Sequence, residues 1–414
     1  MATKHSLFKE YSLKLSISDS KTAVILNKDI ILNKKKYRIS ELDTEKDKLA
    51  AIKSKLDIEY KKPRFAAYWS NFDPFKYEKA NIAQIGNTSN VSNAWVKCTE
   101  LINAFDLANP LTNVRKKTFM HFDNAAFPGS FIVATHHLIN TLYKKFAGKY
   151  LWRASSLLEA NAQAAVPLED KYGLYANFQD KWLMHKKNNG DVLNEANQID
   201  FCDQLGNSVD LYTSDLGFDV SSDYNNQELM QLPANIGQIL TGLLTLKKGG
   251  SLITKQYTAF EPTTISVMYA VSHFFDEFYL CKPYSSRMAN SEMYLIGKGF
   301  HGGVYLTHPY IKALFDRISG RVPIDIPLFG YDDYPQEYLD IVIKSAVEMT
   351  ALQSNKLDLD IKRTNQCLSN NYKGPPKDSP PVKEFYTSAE SLIVEWYGLN
   401  PILPIERGKP LSNP

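Results

Sequence analysis

The chain has 414 residues, enough for one large α/β domain with extensions or for two or three smaller domains. A hydrophobic fraction of 44% and a charged fraction of 22% are those of an ordinary globular protein, and a formal net charge of only +3 excludes binding of polyanions by bulk charge, so a nucleic-acid partner would need a local basic groove. Cys98, Cys202, Cys281 and Cys367 are too scattered for a short-spaced zinc motif or a disulfide framework, and no run reaches roughly 18 apolar residues, so a soluble protein in a reducing, intracellular compartment is expected.

Residues Tyr11 to Ile39 read as short strands, with Leu13, Leu15 and Ile17 alternating and Asn27-Lys28-Asp29 as the turn of a hairpin. Glu41 to Tyr60 carries Leu42, Leu49, Ile52, Leu56 and Ile58 among charges, as an amphipathic or exposed helix does, and Pro63 closes an extension over 1–62. The lysine clusters at Lys34 to Lys36, Lys61-Lys62 and Lys116-Lys117 read as solvated faces. Phe65 to Gln84 gathers Tyr68, Trp69, Phe72, Phe75 and Tyr77, which suits either a stacking surface for a purine or a hydrophobic flap packed on its own domain, the commoner use.

Asn93 to Ile102 has apolar residues at helical spacing and puts Lys97 in mid-helix. The alternating run Thr118 to Phe122 then leads into Asp123-Asn124-Ala125-Ala126-Phe127-Pro128-Gly129-Ser130-Phe131, a strand, a tight turn and a helix start. Pro128 suits a first helical position, and Gly129 and Ser130 let a ligand approach bare backbone amides. Open α/β sheets bind nucleotide-like ligands at such a place, although the full glycine-rich dinucleotide fingerprint is absent.

A helix is expected from Phe131 to Phe146 and a strand from Tyr150 to Leu158. His136 and His137 are adjacent and cannot share a helix face, which argues against a metal pair. The turn Asn188-Asn189-Gly190-Asp191 can present a carboxylate to an exocyclic amine or simply reverse the chain. Ser208 to Asp215 reads as a buried strand that ends in a carboxylate.

Gln231 to Lys247 is a helix that Gly249-Gly250 should stop, and Ser251 to Lys255 is a short strand ending in a lysine. Pro262 to Phe275 is helical, Glu277 to Leu280 extended, and Glu292 to Ile296 a final strand. This alternation predicts an α/β fold, a doubly wound and mostly parallel sheet with an antiparallel last strand, over 63–305. Residues 306–414 form a helical extension, with Pro309 to Leu357 interrupted near Pro323 to Pro335, a linker marked by Gly374-Pro375-Pro376 and Pro380-Pro381, and a last helix from Glu384 to Tyr397. No chemistry is legible in that part.

Four ionisable residues stand out by position: Lys97 on a helix, Asp215 and Lys255 at strand ends, and Glu292 entering the last strand. Around them stand Ala-Trp-Val-Lys-Cys-Thr-Glu-Leu, the Asp123 loop, Asn-Gly-Asp-Val ending at Val192, Asp-Leu-Tyr-Thr-Ser-Asp, Gly-Gly-Ser-Leu-Ile-Thr-Lys, and Lys-Pro-Tyr-Ser-Ser-Arg-Met-Ala-Asn-Ser-Glu ending at Glu292. Over roughly residues 90 to 300 this set resembles the FtsJ-like family of S-adenosylmethionine-dependent 2'-O-ribose methyltransferases, whose catalytic set is Lys-Asp-Lys-Glu in that order. Within the family it looks most like the cap methyltransferases of large cytoplasmic DNA viruses of the asfarvirus type.

The resemblance implies a Rossmann-like methyltransferase fold, S-adenosyl-L-methionine as cofactor and RNA as partner. By the same resemblance Lys255 is the base, while Lys97, Asp215 and Glu292 tune it and position the ribose. Asp123 and Asp191 would hold the cofactor, Ala125, Phe127, Pro128, Gly129, Ser130 and Phe131 would line its pocket, and Lys282, Ser286, Arg287 and Asn290 would touch the substrate. No metal is required. A ribose hydroxyl is a poor nucleophile, so such a site must orient it and take its proton, and a lysine can do so only when a second cation and partial desolvation outweigh nearby carboxylates.

The expected reaction is ribose methylation of the first transcribed nucleotide of capped mRNA (cap-1), in the cytoplasm, with association to the capping or transcription machinery and none to membrane. Methylation of a structured RNA is the alternative within enzymes, and a catalytically inactive RNA-binding or assembly subunit the alternative outside them.

Overall fold

The computed structural model describes residues 12–15, 35–109, 118–143, 148–159, 167–218, 220, 223–370, 372 and 374–406. The hairpin expected around 23–32, the lysines at 116 and 117 and the tail from 407 lie outside the described residues. In chain order the elements are strand β1 (Ser12–Lys14), helices α1 (Ser40–Glu59), α2 (Phe65–Trp69), α3 (Glu78–Gly86) and α4 (Asn93–Phe105), and strand β2 (Thr118–Asn124). There follow α5 (Ser130–Thr141), β3 (Lys149–Ser155), α6 (Leu174–Asn177), α7 (Glu195–Leu205), β4 (Val209–Ser214), α8 (Gln227–Thr245), β5 (Leu246–Gln256), α9 (Pro262–Ser272), β6 (Phe275–Cys281) and β7 (Met293–Phe300). Helices α10 (Pro309–Ile318), α11 (Gln336–Ser369) and α12 (Pro380–Leu399) complete the chain.

The strands form one seven-stranded sheet in the order β1-β6-β7-β5-β4-β2-β3. β3, β2, β4 and β5 pair in parallel, and β7 lies antiparallel between β5 and β6. The sheet is thus α/β and mostly parallel through its centre, as the alternating pattern predicts. The last strand turns back into the sheet instead of extending its edge, and β1 pairs antiparallel with β6 outside it.

Side chains alternate across a strand, so each strand feeds two cores. Phe122, Tyr212 and Leu252 face one layer, with α8 to α10 packed on it, while Phe119, Leu211 and Ile253 face the other, covered by α4, α5 and Trp396 of α12. The extensions pack on this body and on each other. Along α1 and α11, Lys55 pairs with Asp358 at 2.8 Å and Asn365 donates to Glu59 at 2.7 Å. Among the described residues no helix is long and apolar enough to cross a membrane.

Three local expectations are corrected. Pro128 does not open α5: the helix starts at Ser130 behind Gly129, whose φ of +109° suits a residue without Cβ. Gly249-Gly250 does not stop α8, which ends at Thr245, because Leu246 pairs with Val209 and the glycines fall inside β5 beside an irregularity in its register. Pro380 and Pro381 open α12, where Pro380 needs no N–H partner, so this stretch is the start of a packed helix.

Candidate active site

Lys97 reaches the sheet because Ser92 caps α4: its Oγ accepts from the Trp95 amide at 3.1 Å, which fixes where the helix begins. Lys97 is on the buried side of that helix and only 7% exposed. A lysine so placed requires compensating charge. It donates to both carboxylate oxygens of Glu292, at 3.0 and 3.1 Å, and to Asp215 Oδ2 at 3.4 Å.

Asp215 follows the last residue of β4, and Lys255 is the penultimate residue of β5, so parallel pairing brings them together. Lys255 Nζ donates to the Asp215 carbonyl at 2.9 Å and lies 3.3 Å from its Oδ1. The four residues expected from spacing therefore form one cluster. Its charges alternate, with Asp215 shared by two lysines and Lys97 shared by two carboxylates.

Tyr294 was not legible as part of this cluster. Its hydroxyl donates to Asp215 Oδ1 at 2.7 Å, and Lys97 Nζ lies 5.4 Å from the centre of its ring. Tyr294 stands opposite Lys255 in the β5–β7 register, so only the strand pairing reveals it. Gly217 is the other addition: a Cβ there would sit 2.8 Å from Lys255 Nζ and 2.6 Å from the Tyr257 hydroxyl, so the glycine lets the chain pass directly over the lysine.

The charges shift one another. Burial alone would raise Glu292, but Lys97, Lys255 and Lys282 outweigh it and hold the carboxylate well below its usual range. Burial pulls Lys255 down, and Asp215, Tyr257 and Glu292 more than reverse this and hold its ammonium above the ordinary lysine value. Lys282 is different: burial lowers it to about 7, with Lys97 adding to the effect and Glu292 opposing it.

The loop between β6 and β7 carries the remaining expected residues. Ser286 Oγ donates to Glu292 Oε1 at 2.7 Å. Lys282 is buried, and its Nζ donates to Asn290 Oδ1 at 2.5 Å and to the carbonyls of Glu292 and Asn290 at 2.7 and 2.8 Å, so it staples the loop from inside. Arg287 is on the outer side, with Nε donating to Asp73 Oδ2 at 3.1 Å.

Glu100, unrecognised in the sequence, holds this loop from α4. It accepts from the amides of Tyr284 and Ser285 at 2.6 and 2.9 Å and from Trp396 Nε1 at 3.1 Å.

The β2 turn lies beside the cluster. Asp123 is buried at the strand end and accepts from Thr213 Oγ1 at 2.6 Å; burial and the charge of Asp215 push it well above the carboxylate range against that hydrogen bond. Ala125 has a φ of +52°, and Ser130 Oγ is hydrogen-bonded with Ser92 Oγ at 2.9 Å, which ties the starts of α4 and α5 together. The Phe127 ring packs among Tyr175 and Trp182, and the Phe131 side chain is in the core, so these two residues offer the turn chiefly backbone. Asp191 Oδ1 accepts from the Leu193 amide at 2.9 Å.

At the end of β2, Asn124 is 1% exposed and neither its amide nitrogen nor its oxygen has a hydrogen-bond partner among the described residues. Ser155 pairs with it in register from β3, and its Oγ is likewise without a partner. Unmet polar atoms are rare in a folded interior, and here they stand at the carboxyl ends of parallel strands, beside a turn with two positive φ angles. The residues present fit a polar, nucleotide-like ligand.

A doubly wound sheet with a charge cluster and an open turn at the carboxyl ends of its parallel strands is the architecture of a protein that binds nucleotide-like ligands there. The chain belongs to the FtsJ-like methyltransferase family, whose model matches residues 90–300. It is 40% identical over 241 residues to "Probable methyltransferase EP424R" of African swine fever virus (isolate Pig/Kenya/KEN-50/1950), covering 55% of this chain and 54% of the relative. It is 27% identical over 315 residues to the Drosophila melanogaster cap-specific mRNA (nucleoside-2'-O-)-methyltransferase 2, covering 73% of this chain and 43% of that one. The chain thus spans about half the length of the curated relatives it matches. A solved structure of human methyltransferase-like protein 13 in complex with SAH matches 59% of this chain and 98% of its own at 12% identity, with a TM-score of 0.31.

Proposed function

We propose that the protein transfers a methyl group from S-adenosyl-L-methionine to the ribose 2'-hydroxyl of RNA, at the first transcribed nucleotide of capped mRNA. The observation that carries the reading is the joint placement of Lys97, Asp215, Lys255 and Glu292 in one hydrogen-bonded cluster beside the β2 turn. The relatives named as cap-specific mRNA methyltransferases support the choice of substrate, and the viral relatives support a cytoplasmic setting.

S-adenosylmethionine, when bound, supplies an electrophilic methyl group together with a positive charge that opposes the two carboxylates of the cluster. Asp123, Asp191 and the backbone of Ala125 to Ser130 would hold it. Lys255 Nζ, in its neutral form, would accept the hydroxyl proton as the ribose oxygen bonds to the methyl carbon and the methyl–sulfur bond breaks, its electron pair passing to the departing neutral thioether. Asp215 fixes that nitrogen through its carbonyl and Oδ1, while Lys97 and Glu292 complete the wall against which the ribose is held. A positioned base contributes about 10²- to 10⁴-fold to such a step.

The test is methyl transfer from labelled cofactor to RNA bearing a methylated cap, an unmethylated cap or a plain triphosphate, with Lys255→Ala alongside and the labelled ribose identified by digestion. Label on the first ribose of capped RNA, lost in the variant, is the expected result. Label on the second ribose, or on folded RNA alone, would move the substrate assignment; cofactor binding without any transfer would favour a non-catalytic RNA-binding role.

A further inference from the structure

The loop from Lys282 to Glu292 has two sides. One faces the charge cluster through Ser286 and Glu292. The other, through Tyr284 and Arg287, lines a cavity of about 240 Å³ whose remaining walls come from the aromatic flap, with Trp69 and Phe72, and from the C-terminal extension, with Asp360 of α11 and Phe385 of α12. The cavity and the cluster therefore share this one loop.

We infer that this cavity receives a nucleobase of the RNA whose ribose lies at the cluster, so that the extensions help select the substrate. The inference rests on the function proposed above and goes beyond it by assigning a site to the extensions. At about 240 Å³ the cavity is smaller than the roughly 300–1,000 Å³ typical of whole drug-sized ligands, so it suits one flat ring system. Four aromatic side chains, Trp69, Phe72, Tyr284 and Phe385, are among its walls, and bases stack on such rings whatever their sequence.

The charged groups suit a nucleotide as well. Lys356 also lines the cavity and donates to the buried Asp360 at 2.7 Å, with Arg363 3.4 Å from the same oxygen, so this wall carries cations beside a paired carboxylate. The Arg287 side chain lines the cavity and is 44% exposed while its Nε pairs with Asp73, so its outer N–H groups suit a phosphate. A hydrophobic side chain of a protein partner would use the rings but neither the exposed cation nor the shared loop.

Ser388 is exposed on α12 at the cavity's edge, so Ser388→Trp fills the cavity from the side away from the charge cluster and changes no residue of the loop. Trp69→Ala opens it instead. Binding of guanosine triphosphate, the methylated cap dinucleotide m7GpppG and a short oligoadenylate is measured by calorimetry on the full chain, together with KM for RNA and the affinity for S-adenosylmethionine.

Both variants are expected to weaken nucleotide binding and to raise KM for RNA by about tenfold or more, with cofactor affinity unchanged. If m7GpppG alone binds, the base is the cap guanine; if the oligoadenylate binds as well, it is a transcribed base. The binding arm needs no methyl transfer, so it stands even where the proposed reaction fails. Unchanged nucleotide binding and unchanged KM in both variants would overturn the proposal and leave the cavity to a protein partner.

Discussion

Lys97 and Glu100 stand one turn apart on α4, and the two residues grip opposite ends of the same loop. Lys97 holds Glu292, and Glu100 holds the amides of Tyr284 and Ser285. One helix therefore sets both the charge cluster and the segment that closes it. Glu100→Gln keeps the size but replaces one acceptor oxygen with a donor that faces N–H groups. The expected cost is about 2 kcal/mol of stability. Methyl transfer should fall through kcat while cofactor affinity holds, as read by denaturant melts, steady-state kinetics and calorimetry.

As the proposed base, Lys255 must lose its proton, and in the free protein its value is raised, with Asp215 the largest of the charges that raise it. The rate constant kcat/KM reports the free enzyme, so it should climb with pH through the neutral range and show no plateau below the ordinary lysine value. Asp215→Asn removes the leading raising charge. Its residual activity should level off at a lower pH than wild type, and a limb unmoved in that variant would remove Lys255 from the role of base.

Glu292 has a folded value below its unfolded one, so between the two the unfolded chain binds more protons and stability rises with pH. Its contribution is full above the ordinary carboxylate value of 4.5 and is lost as pH falls toward the folded value. The melting-temperature gap between wild type and Glu292→Gln should be flat from about pH 8 to 5 and close below about pH 4. A gap that persists in strong acid would mean that packing, not charge, sets the contribution of this residue.

Gly217→Ala tests whether the lysine needs open backbone above it. The added Cβ would press on Lys255 Nζ and the Tyr257 hydroxyl at 2.8 and 2.6 Å, while the site itself is exposed. Stability should change by no more than about 0.5 kcal/mol. The rate should fall by about 10- to 100-fold, because a small displacement of a reacting group is enough. Thermal melts and single-turnover rates separate the two effects.

Much of the fold was legible because each parallel strand and its covering helix leave their own periodic mark in the sequence. The charge cluster was legible because Asp215 and Lys255 fall at strand ends, where a ligand crevice opens. Tyr294 and Glu100 were not: Tyr294 joins through the register of two strands, and Glu100 through contacts with residues 184 to 296 positions away. Local signals also misled where long-range pairing prevailed. Leu246 left the helix to join Val209, and the prolines near 380 began a helix that packs on α11.

The indole of Trp396 donates to Glu100 from beyond the span shared with the methyltransferase family. A gene trimmed to residues 90–300 would encode all four members of the cluster and every strand except β1. It would also leave Glu100 facing an empty slot, and the loop it anchors would lose its backing. Recombinant fragments cut at the family's borders should thus be poor substitutes for the whole polypeptide, and the C-terminal helix belongs in any expression design that aims at a working enzyme.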